Sequence, residues 1–201
     1  MGLLSQGRPL NWDETKKYAK FVQERGIAQF INIYKRSKDR ADAPFKWGDE
    51  VEYILANFDH ENRMVRVSLK AEEVFRKIDE RSKDGSNPYK SLWNPEFASY
   101  MVEGTPGLPY GGDGLMITSL CEIEKSMKYR RDLVQSTLGP HETVLTITSF
   151  PRLGCPNFTS PICNPKPGTS ASGSIFFPDE AIYQGHPRFE TLVRNIRSRR
   201  R

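Results

Sequence analysis

The stretch KWGDEVEYILANFDHENRMVRVSL, Lys46 to Leu69, decides the fold that this sequence predicts. A first strand-like run covers Trp47 to Phe58, with acidic and apolar residues alternating from Glu50 to Tyr53. A polar turn follows at 59–62, and a second strand-like run covers Met64 to Leu69. Alternation with a period of two is typical of a β-strand, and two such runs joined by a short polar turn predict a β-hairpin.

The first strand of this hairpin carries two acidic residues close together. Glu50 and Glu52 lie two residues apart, so they project to the same face of the strand, while Val51, Tyr53 and Leu55 take the opposite face. Two neighbouring carboxylates on one face of a strand repel each other, so their placement requires an explanation.

Further elements are predicted on both sides of the hairpin. Asn11 followed by Glu14 is a capping box, which starts a helix that Gly26 suits as its end. The other predicted elements are a helix from Ile27 to about Ser37 with Phe30, Ile31 and Tyr34 facing inward, a helix from about Ala71 to Arg81, a strand from Phe97 to Glu103, a helix from Thr118 to Leu138, a strand from Val144 to Phe150, and a helical segment from Asp179 to Arg201. Residues 151–173, rich in Pro, Gly, Ser and Asn, predict an extended loop.

The composition is that of a globular chain, and the mixture of helices and strands predicts an α+β fold. Hydrophobic residues make up 37% of the 201 residues and charged residues 27%. No internal repeat and no domain boundary is evident, so residues 1–201 are predicted to form one unit.

Several functional classes are disfavoured by the sequence. No apolar run approaches the ~20 residues of a membrane helix, and the first residues lack the pattern of a secretory signal, so we expect a cytosolic protein. The three cysteines form no CxxC pair, which argues against a zinc site and favours reduced thiols. No Ser/His/Asp or Cys/His set indicates a catalytic nucleophile.

The net charge of +5 comes partly from the basic end RNIRSRRR. A basic tail is compatible with nucleic-acid binding. However, the rest of the chain lacks zinc spacing, an RNP-like strand and interleaved aromatic and basic runs, so we expect no nucleic-acid partner.

A second acidic pair, Glu96 and Glu103, brackets the next predicted strand. If the two strands share a sheet, up to four carboxylates converge, and two charges ~4 Å apart repel by about 4 kcal/mol at an effective dielectric constant of ~20. Raised pKa values or bound cations relieve such repulsion, and oxygen ligands favour Mg²⁺ or Mn²⁺. Glu96 and Glu103 are an odd number of residues apart, so a regular strand would send them to opposite faces unless the chain bends near Pro95.

The alternative interpretation of the same acids is a solvated face. Antiparallel sheets often expose one face to water, and glutamates there need no ligand. Spacing alone leaves both interpretations open.

Longer motifs resemble one known family. The stretches KWGDEVEY, LWNPEFASYMVEGTPGLPYGG, TITSFPRLGCPNFT, FFPDEAI and HPRFETLVRNIRSRRR resemble the catalytic subunit of eukaryotic glutamate–cysteine ligase, in the same order and along essentially the whole chain. The opening MGLLSQG, followed by the capping-box helix, is similar as well.

The resemblance implies a fold, an activity and a set of ligands. The implied fold is similar to glutamine synthetase: part of an antiparallel sheet curved into a funnel, with helices outside. The implied activity joins the glutamate γ-carboxyl to the cysteine amine through γ-glutamyl phosphate, with ATP as co-substrate, in the first step of glutathione synthesis. The implied Mg²⁺ or Mn²⁺ ligands are Glu50, Glu52, Glu96 and Glu103. No catalytic nucleophile is implied, and the modifier subunit of the ligase is the implied protein partner.

The chain departs from the family in one motif and in length. The motif VEPNMRLRR reads IEKSMKYRR here, with Lys125 and Ser126 in place of Pro and Asn, while Arg130 and Arg131 persist. Family members are far longer, so most nucleotide and amino-acid contacts are expected beyond Arg201. We therefore expect a fragment, a truncated product or a short splice form that is inactive alone. The alternative is a non-catalytic chain that binds the modifier or catalytic subunit.

Overall fold

The computed structural model describes residues 7–41, 43–83, 85, 87–111 and 116–200, with the backbone alone at 116 and 117. The parts of the resemblance that fall on residues 1–6, 112 and 201 lie outside these residues.

Helices and groups of strands follow one another along the described chain. The helices are α1 (Trp12–Ser37), α2 (Ala71–Ser82), α3 (Met116–Cys121), α4 (Ile123–Gln135) and α5 (Pro187–Arg199), with a 3₁₀ helix at Asp179–Ala181. The strands are β1 (Lys46–Trp47), β2 (Val51–Asp59), β3 (Met64–Ser68), β4 (Leu92–Pro95), β5 (Met101–Thr105), β6 (Tyr110–Gly111), β7 (Glu142–Leu145) and β8 (Thr159–Ser160). This mixture confirms the predicted α+β class in its general form.

Strand β2 is the centre of a six-stranded sheet. The order is β4-β5-β2-β3-β8, and β7 also pairs with β2. Strand β5 pairs with the first half of β2 (Val51–Ile54) and β7 with the second half (Ile54–Asn57), both antiparallel. The short β3–β8 contact is parallel. The small β1–β6 pair forms a separate ladder.

The two faces of the sheet bury different apolar clusters, as the alternation of β2 requires. Tyr53 and Leu55 face the helices and join a cluster that also contains Ala71, Val74, Ile78, Val102, Val134 and Val144. Ile54 faces the other way, into a cluster with Val67, Ala98, Tyr100, Phe150, Phe158 and Ala181. Glu52 and Ile54, two residues apart, project from this second face of β2.

The predicted hairpin is confirmed. Residues 60–63 form the turn between β2 and β3, and Asp59 pairs with Met64 at its base. Helix α2 also lies where predicted, with Val74 and Ile78 buried. The segment 151–173 is largely irregular and holds only the two residues of β8 as strand.

The predicted break at Gly26 is wrong, because α1 continues through it as one helix of 26 residues. A Gly inside a helix costs only about 1 kcal/mol relative to Ala, and the helix-forming residues on both sides compensate for it. No residue of α1 is buried, so the predicted inward positions of Phe30, Ile31 and Tyr34 are wrong as well.

Three predicted boundaries are also corrected. The strand expected from Phe97 to Glu103 begins only at Met101, as β5, because the chain turns between β4 and β5, where Met101 N donates to Ala98 O at 2.9 Å. The helix expected from Thr118 to Leu138 is interrupted at Glu122, between α3 and α4. The helical segment expected from Asp179 becomes a 3₁₀ turn followed by α5, which starts with Pro187 at its first position.

The strand expected from Val144 to Phe150 is also corrected. The observed strand, β7, begins earlier, at Glu142, and ends earlier, at Leu145, which is the last of its residues to pair with β2.

Candidate functional site

Three side chains form a row across adjacent strands. Glu52 of β2 pairs in register with Glu103 of β5, and Glu103 pairs with Asn94 of β4. Residues directly opposite one another on neighbouring strands project to the same face, with Cβ atoms about 4.5–5.5 Å apart. The sheet therefore brings two of the predicted carboxylates together, with an amide beside them.

Glu96 reaches the same row from the residue after β4. Burial raises the pKa of the Glu96 carboxyl, and its hydrogen bond with Glu103 and the charge of Glu52 raise it further. Glu96 directly follows β4 and Glu103 lies in the neighbouring strand β5, so the two acids do not share one regular strand and their odd spacing is no difficulty. The bend that the sequence required near Pro95 is the turn from β4 into β5.

Glu103 is the most deeply buried acid of the group, with 2% of its surface exposed. Burial alone would raise the pKa of Glu103, but hydrogen bonds, including those from Glu96 and Asn94, outweigh it and lower the pKa. Asn94 Nδ2 donates to Glu103 Oε1 at 3.2 Å. The hydrogen bond between Glu96 and Glu103 therefore raises the pKa of Glu96 and lowers that of Glu103.

Glu50 is placed differently from the other predicted acids. It is exposed and precedes β2, which starts at Val51. The strand pairing that fixes Glu52 opposite Glu103 therefore does not extend to Glu50. Its assignment as a ligand stays a prediction from the resemblance.

A buried ion pair beside Glu50 was missed by the sequence reasoning. Arg130 of α4 is fully buried and donates through Nη2 to Oδ2 of Asp49, which is 8% exposed. Arg130 Nε and Nη1 and Asp49 Oδ1 have no further partner within the described part of the chain. The pair anchors α4 to the start of β2, immediately before the acidic positions.

Gly104 allows the row to be close-packed next to Glu103. A Cβ at this position would lie 2.8 Å from a ring carbon of Trp93 in β4. The indole ring of Trp93 packs over Gly104, which has no side chain to push β4 away from β5. Asn94, the next residue of β4, can therefore contact Glu103. A strand glycine of this kind marks a close approach that the sequence alone did not indicate.

The donor set fits a hard divalent cation. Carboxylate and amide oxygens are ligands that Mg²⁺ and Mn²⁺ accept, whereas zinc favours Cys and His. Within the described ranges, no three His, Cys, Asp or Glu side chains are arranged closely enough to hold one metal ion.

The remaining reactive side chains lie away from this row. Cys121 and Cys155 are exposed and Cys163 is half-buried, and all three are free. His60 and His141 are exposed, and Nδ1 of His186 accepts a hydrogen bond from Arg188 N at the start of α5. No helix among the described residues is long and apolar enough to cross a membrane.

Comparison with known proteins agrees with the motifs. The sequence model of the glutamate–cysteine ligase family matches residues 1–201. The chain is 52% identical over its full length to the glutamate–cysteine ligase catalytic subunits of Rattus norvegicus and Homo sapiens, and covers 31% of each. It is 43% identical to the glutamate–cysteine ligase of Dictyostelium discoideum and covers 30% of that protein. The chain spans about a third of these relatives, and it belongs to the glutamate–cysteine ligase family.

Proposed function

We propose that this chain supplies one carboxylate wall of the metal–nucleotide site of a glutamate–cysteine ligase. The observation that carries the proposal is the cross-strand pair Glu52–Glu103, with Glu96 hydrogen-bonded to Glu103. Glu50 completes the proposed set from the segment just before β2. The implied site would lie on the inner face of a glutamine-synthetase-like funnel.

The proposed reaction needs positioning and charge neutralisation more than a protein nucleophile. The γ-phosphoryl group of ATP passes to the glutamate γ-carboxyl, and the cysteine amine then attacks the acyl phosphate carbon and expels phosphate. Mg²⁺ or Mn²⁺, when bound, would supply positive charge that neutralises the phosphate groups. Glu52, Glu96 and Glu103 of this chain, with Glu50 beside them, would hold the cation next to the phosphate groups.

We further propose that this chain alone does not complete the reaction, because it spans 31% of its mammalian relatives. An assay of γ-glutamyl hydroxamate formation and of ATP hydrolysis by the purified chain tests this point. We expect no turnover above the background without enzyme. Steady turnover by the chain alone would refute inactivity without affecting the metal site.

Cation binding tests the site independently of turnover. We expect Mn²⁺ titration followed by electron paramagnetic resonance to show binding to the chain. The double variant Glu52→Gln/Glu103→Gln should weaken it by about tenfold or more, because two charged oxygen ligands are lost. The matched control is Glu72→Gln, at an exposed position of α2 outside the row. Equal Mn²⁺ affinity in the double variant and the control would overturn the proposed site.

A second candidate function is supported by α1. Its large apolar side chains are exposed: Tyr18, Phe21, Val22, Ile27, Phe30, Ile31, Ile33 and Tyr34. Contiguous apolar surface of this kind is typical of a protein interaction site. The chain could therefore act as a non-catalytic partner of the modifier or catalytic subunit of the ligase. Pull-down with each subunit tests this, and the candidate fails if Phe21→Glu/Phe30→Glu leaves every interaction unchanged.

A further inference from the structure

Two histidines meet at the end of the sheet remote from the acidic row. His60 follows the last residue of β2, and His141 precedes the first residue of β7. Eight residues of extended strand separate His60 from Glu52, which corresponds to roughly 25 Å. Both histidine side chains are exposed, and neither has a role in the proposed ligase site.

The two imidazole rings have a separation that suits a shared metal ion. Their centroids are 5.8 Å apart, and the ring planes are inclined by 66°. A zinc ion bound to two imidazole nitrogens at about 2.0–2.1 Å in tetrahedral geometry places the centroids roughly 5 Å apart. A small rotation of exposed side chains closes this difference.

The backbone holds the two histidines near one another before any metal binds. Phe58 N donates to His141 O at 2.8 Å, and Asn57 pairs with Glu142 in the β2–β7 ladder. The histidines therefore sit on two segments that are hydrogen-bonded together. The backbone is therefore already ordered, and only the rotamer freedom of the two side chains remains to be lost when both engage one ion.

Hydrogen bonds to the Asp59 carboxylate stabilise the turn that carries His60. Asp59 Oδ1 accepts from Asn62 N at 3.0 Å, and Asp59 Oδ2 accepts from Asn62 Nδ2 and from Arg66 Nη1, both at 2.9 Å. The Arg66 guanidinium is thereby neutralised by Asp59, so its positive charge does not oppose a cation beside His60.

The space around the rings is open and polar. A cavity of about 320 Å³ is lined by both histidines together with Asn57, Phe58, Asp59, Glu61 and Arg66. Glu61 adds a negative charge to its rim. No third His, Cys, Asp or Glu in the described part of the chain completes a ligand set, so water would occupy the other coordination positions.

We propose that His60 and His141 together bind one divalent transition-metal ion such as Zn²⁺ or Ni²⁺. Neutral imidazole is a preferred ligand for these ions and a poor one for Mg²⁺. The site is distinct from the acidic row in ligand type and in position, and it does not depend on the proposed ligase function.

Zinc titration of the intact 201-residue chain tests the proposal. The thiols are first alkylated, because the exposed Cys121 and Cys155 would otherwise compete for zinc. Mg²⁺ is kept in excess to saturate oxygen sites. Calorimetry should then show one zinc site, and the imidazole proton resonances of His60 and His141 should shift while those of His186 do not.

The chain provides its own control histidine. His60→Ala and His141→Ala should each weaken zinc binding by about tenfold or more, since a single imidazole remains. His186→Asn keeps a side-chain acceptor at the cap of α5 and should leave zinc binding unchanged. Far-ultraviolet circular dichroism verifies that all three variants are folded.

Three outcomes would overturn the proposal. They are unchanged zinc affinity in both His60→Ala and His141→Ala, equal loss in His186→Asn, and zinc shifts confined to other residues. Retention of zinc binding by Glu52→Gln/Glu103→Gln is expected, because the two sites are independent.

Discussion

Two glutamates of this sheet region have pKa values shifted in opposite directions. Glu96 is pushed towards its neutral form by burial and by neighbouring acids, whereas Glu142 is held in its charged form. Glu142 is 7% exposed and accepts hydrogen bonds from Ser68 Oγ at 2.7 Å and from Lys70 Nζ and Gly139 N at 3.0 Å each. Burial alone would raise the pKa of Glu142, but these donors outweigh it and lower the pKa. Hydrogen-bond donors therefore decide the charge of a buried carboxyl.

Glu142→Gln is expected to reduce the free energy of unfolding at pH 7 by about 1–3 kcal/mol, because it replaces a charge-assisted acceptor. The folded-state pKa of Glu142 is below its unfolded value of about 4.3, so its contribution is present above that pH and is lost as the pH falls further. Urea denaturation between pH 7 and pH 3 should show a smaller pH dependence for the variant. Glu72→Gln is the exposed control, and an identical profile for both variants would contradict the prediction.

At the scale of elements, strand pairing converts separate acidic residues into a site. Alternation within β2 predicted which face Glu52 occupies, because the period of two is a local property of extended backbone. The pairing of Glu103 with Asn94 depends on where the chain turns between β4 and β5. A neutral amide gives no sequence signal for such a role, so Asn94 could be found only from the register.

Gly104→Ala tests how tightly β4 and β5 must pack. The new Cβ would lie 2.8 Å from the Trp93 ring, so the strands must separate or the indole must move. We expect a loss of about 1–3 kcal/mol in unfolding free energy and weaker Mn²⁺ binding, because Glu103 shifts with its neighbour. Urea denaturation and Mn²⁺ titration measure the two effects.

The matched glycine control is Gly26→Ala in α1. Apart from the adjoining residues and the helix's own backbone, no atom of the described residues lies within 4 Å of the position that a Cβ would take there, and the site is in the interior of a helix. The substitution should stabilise the chain by about 0.5–1 kcal/mol and leave Mn²⁺ affinity unchanged. Similar destabilisation by both substitutions would show that packing against Trp93 is not the cause.

At the scale of the whole molecule, α1 is linked to α5 by a hydrogen bond at its start but buries none of its side chains. The side chain of Asn195 in α5 donates to Leu10 O at 2.9 Å just before α1, and no residue of α1 is buried. The apolar positions Ile27, Phe30, Ile31 and Tyr34 recur at the spacing of one helical face. Relatives that are about three times as long provide much additional chain that could cover such a face.

Phe21→Glu/Phe30→Glu should leave the free energy of unfolding nearly unchanged, because these rings are 58% and 69% exposed. The same variant should reduce self-association, since it breaks the exposed apolar stripe. Light scattering coupled to size-exclusion chromatography and urea denaturation measure the two effects. Phe189→Ala is the buried comparison and should cost about 3–5 kcal/mol. Loss of stability in the α1 variant would show that the helix is packed in solution.

The sequence by itself determined the hairpin, α2, the irregular segment 151–173 and the face of β2 from which Glu52 projects. These features follow from spacing between near neighbours, which backbone geometry converts directly into direction. The family resemblance likewise came from contiguous motifs, and the comparisons bear it out.

Only the tertiary structure decided what those elements touch. Asp49 and Arg130 are 81 residues apart, and nothing in their local sequence predicts that they meet in the interior. The same holds for the pairing of Asn94 with Glu103 and of His60 with His141, and for the exposure of the apolar face of α1. The chemistry of an apolar or charged side chain determines which kind of neighbour stabilises it. Long-range strand pairing and packing determine which residue that neighbour is.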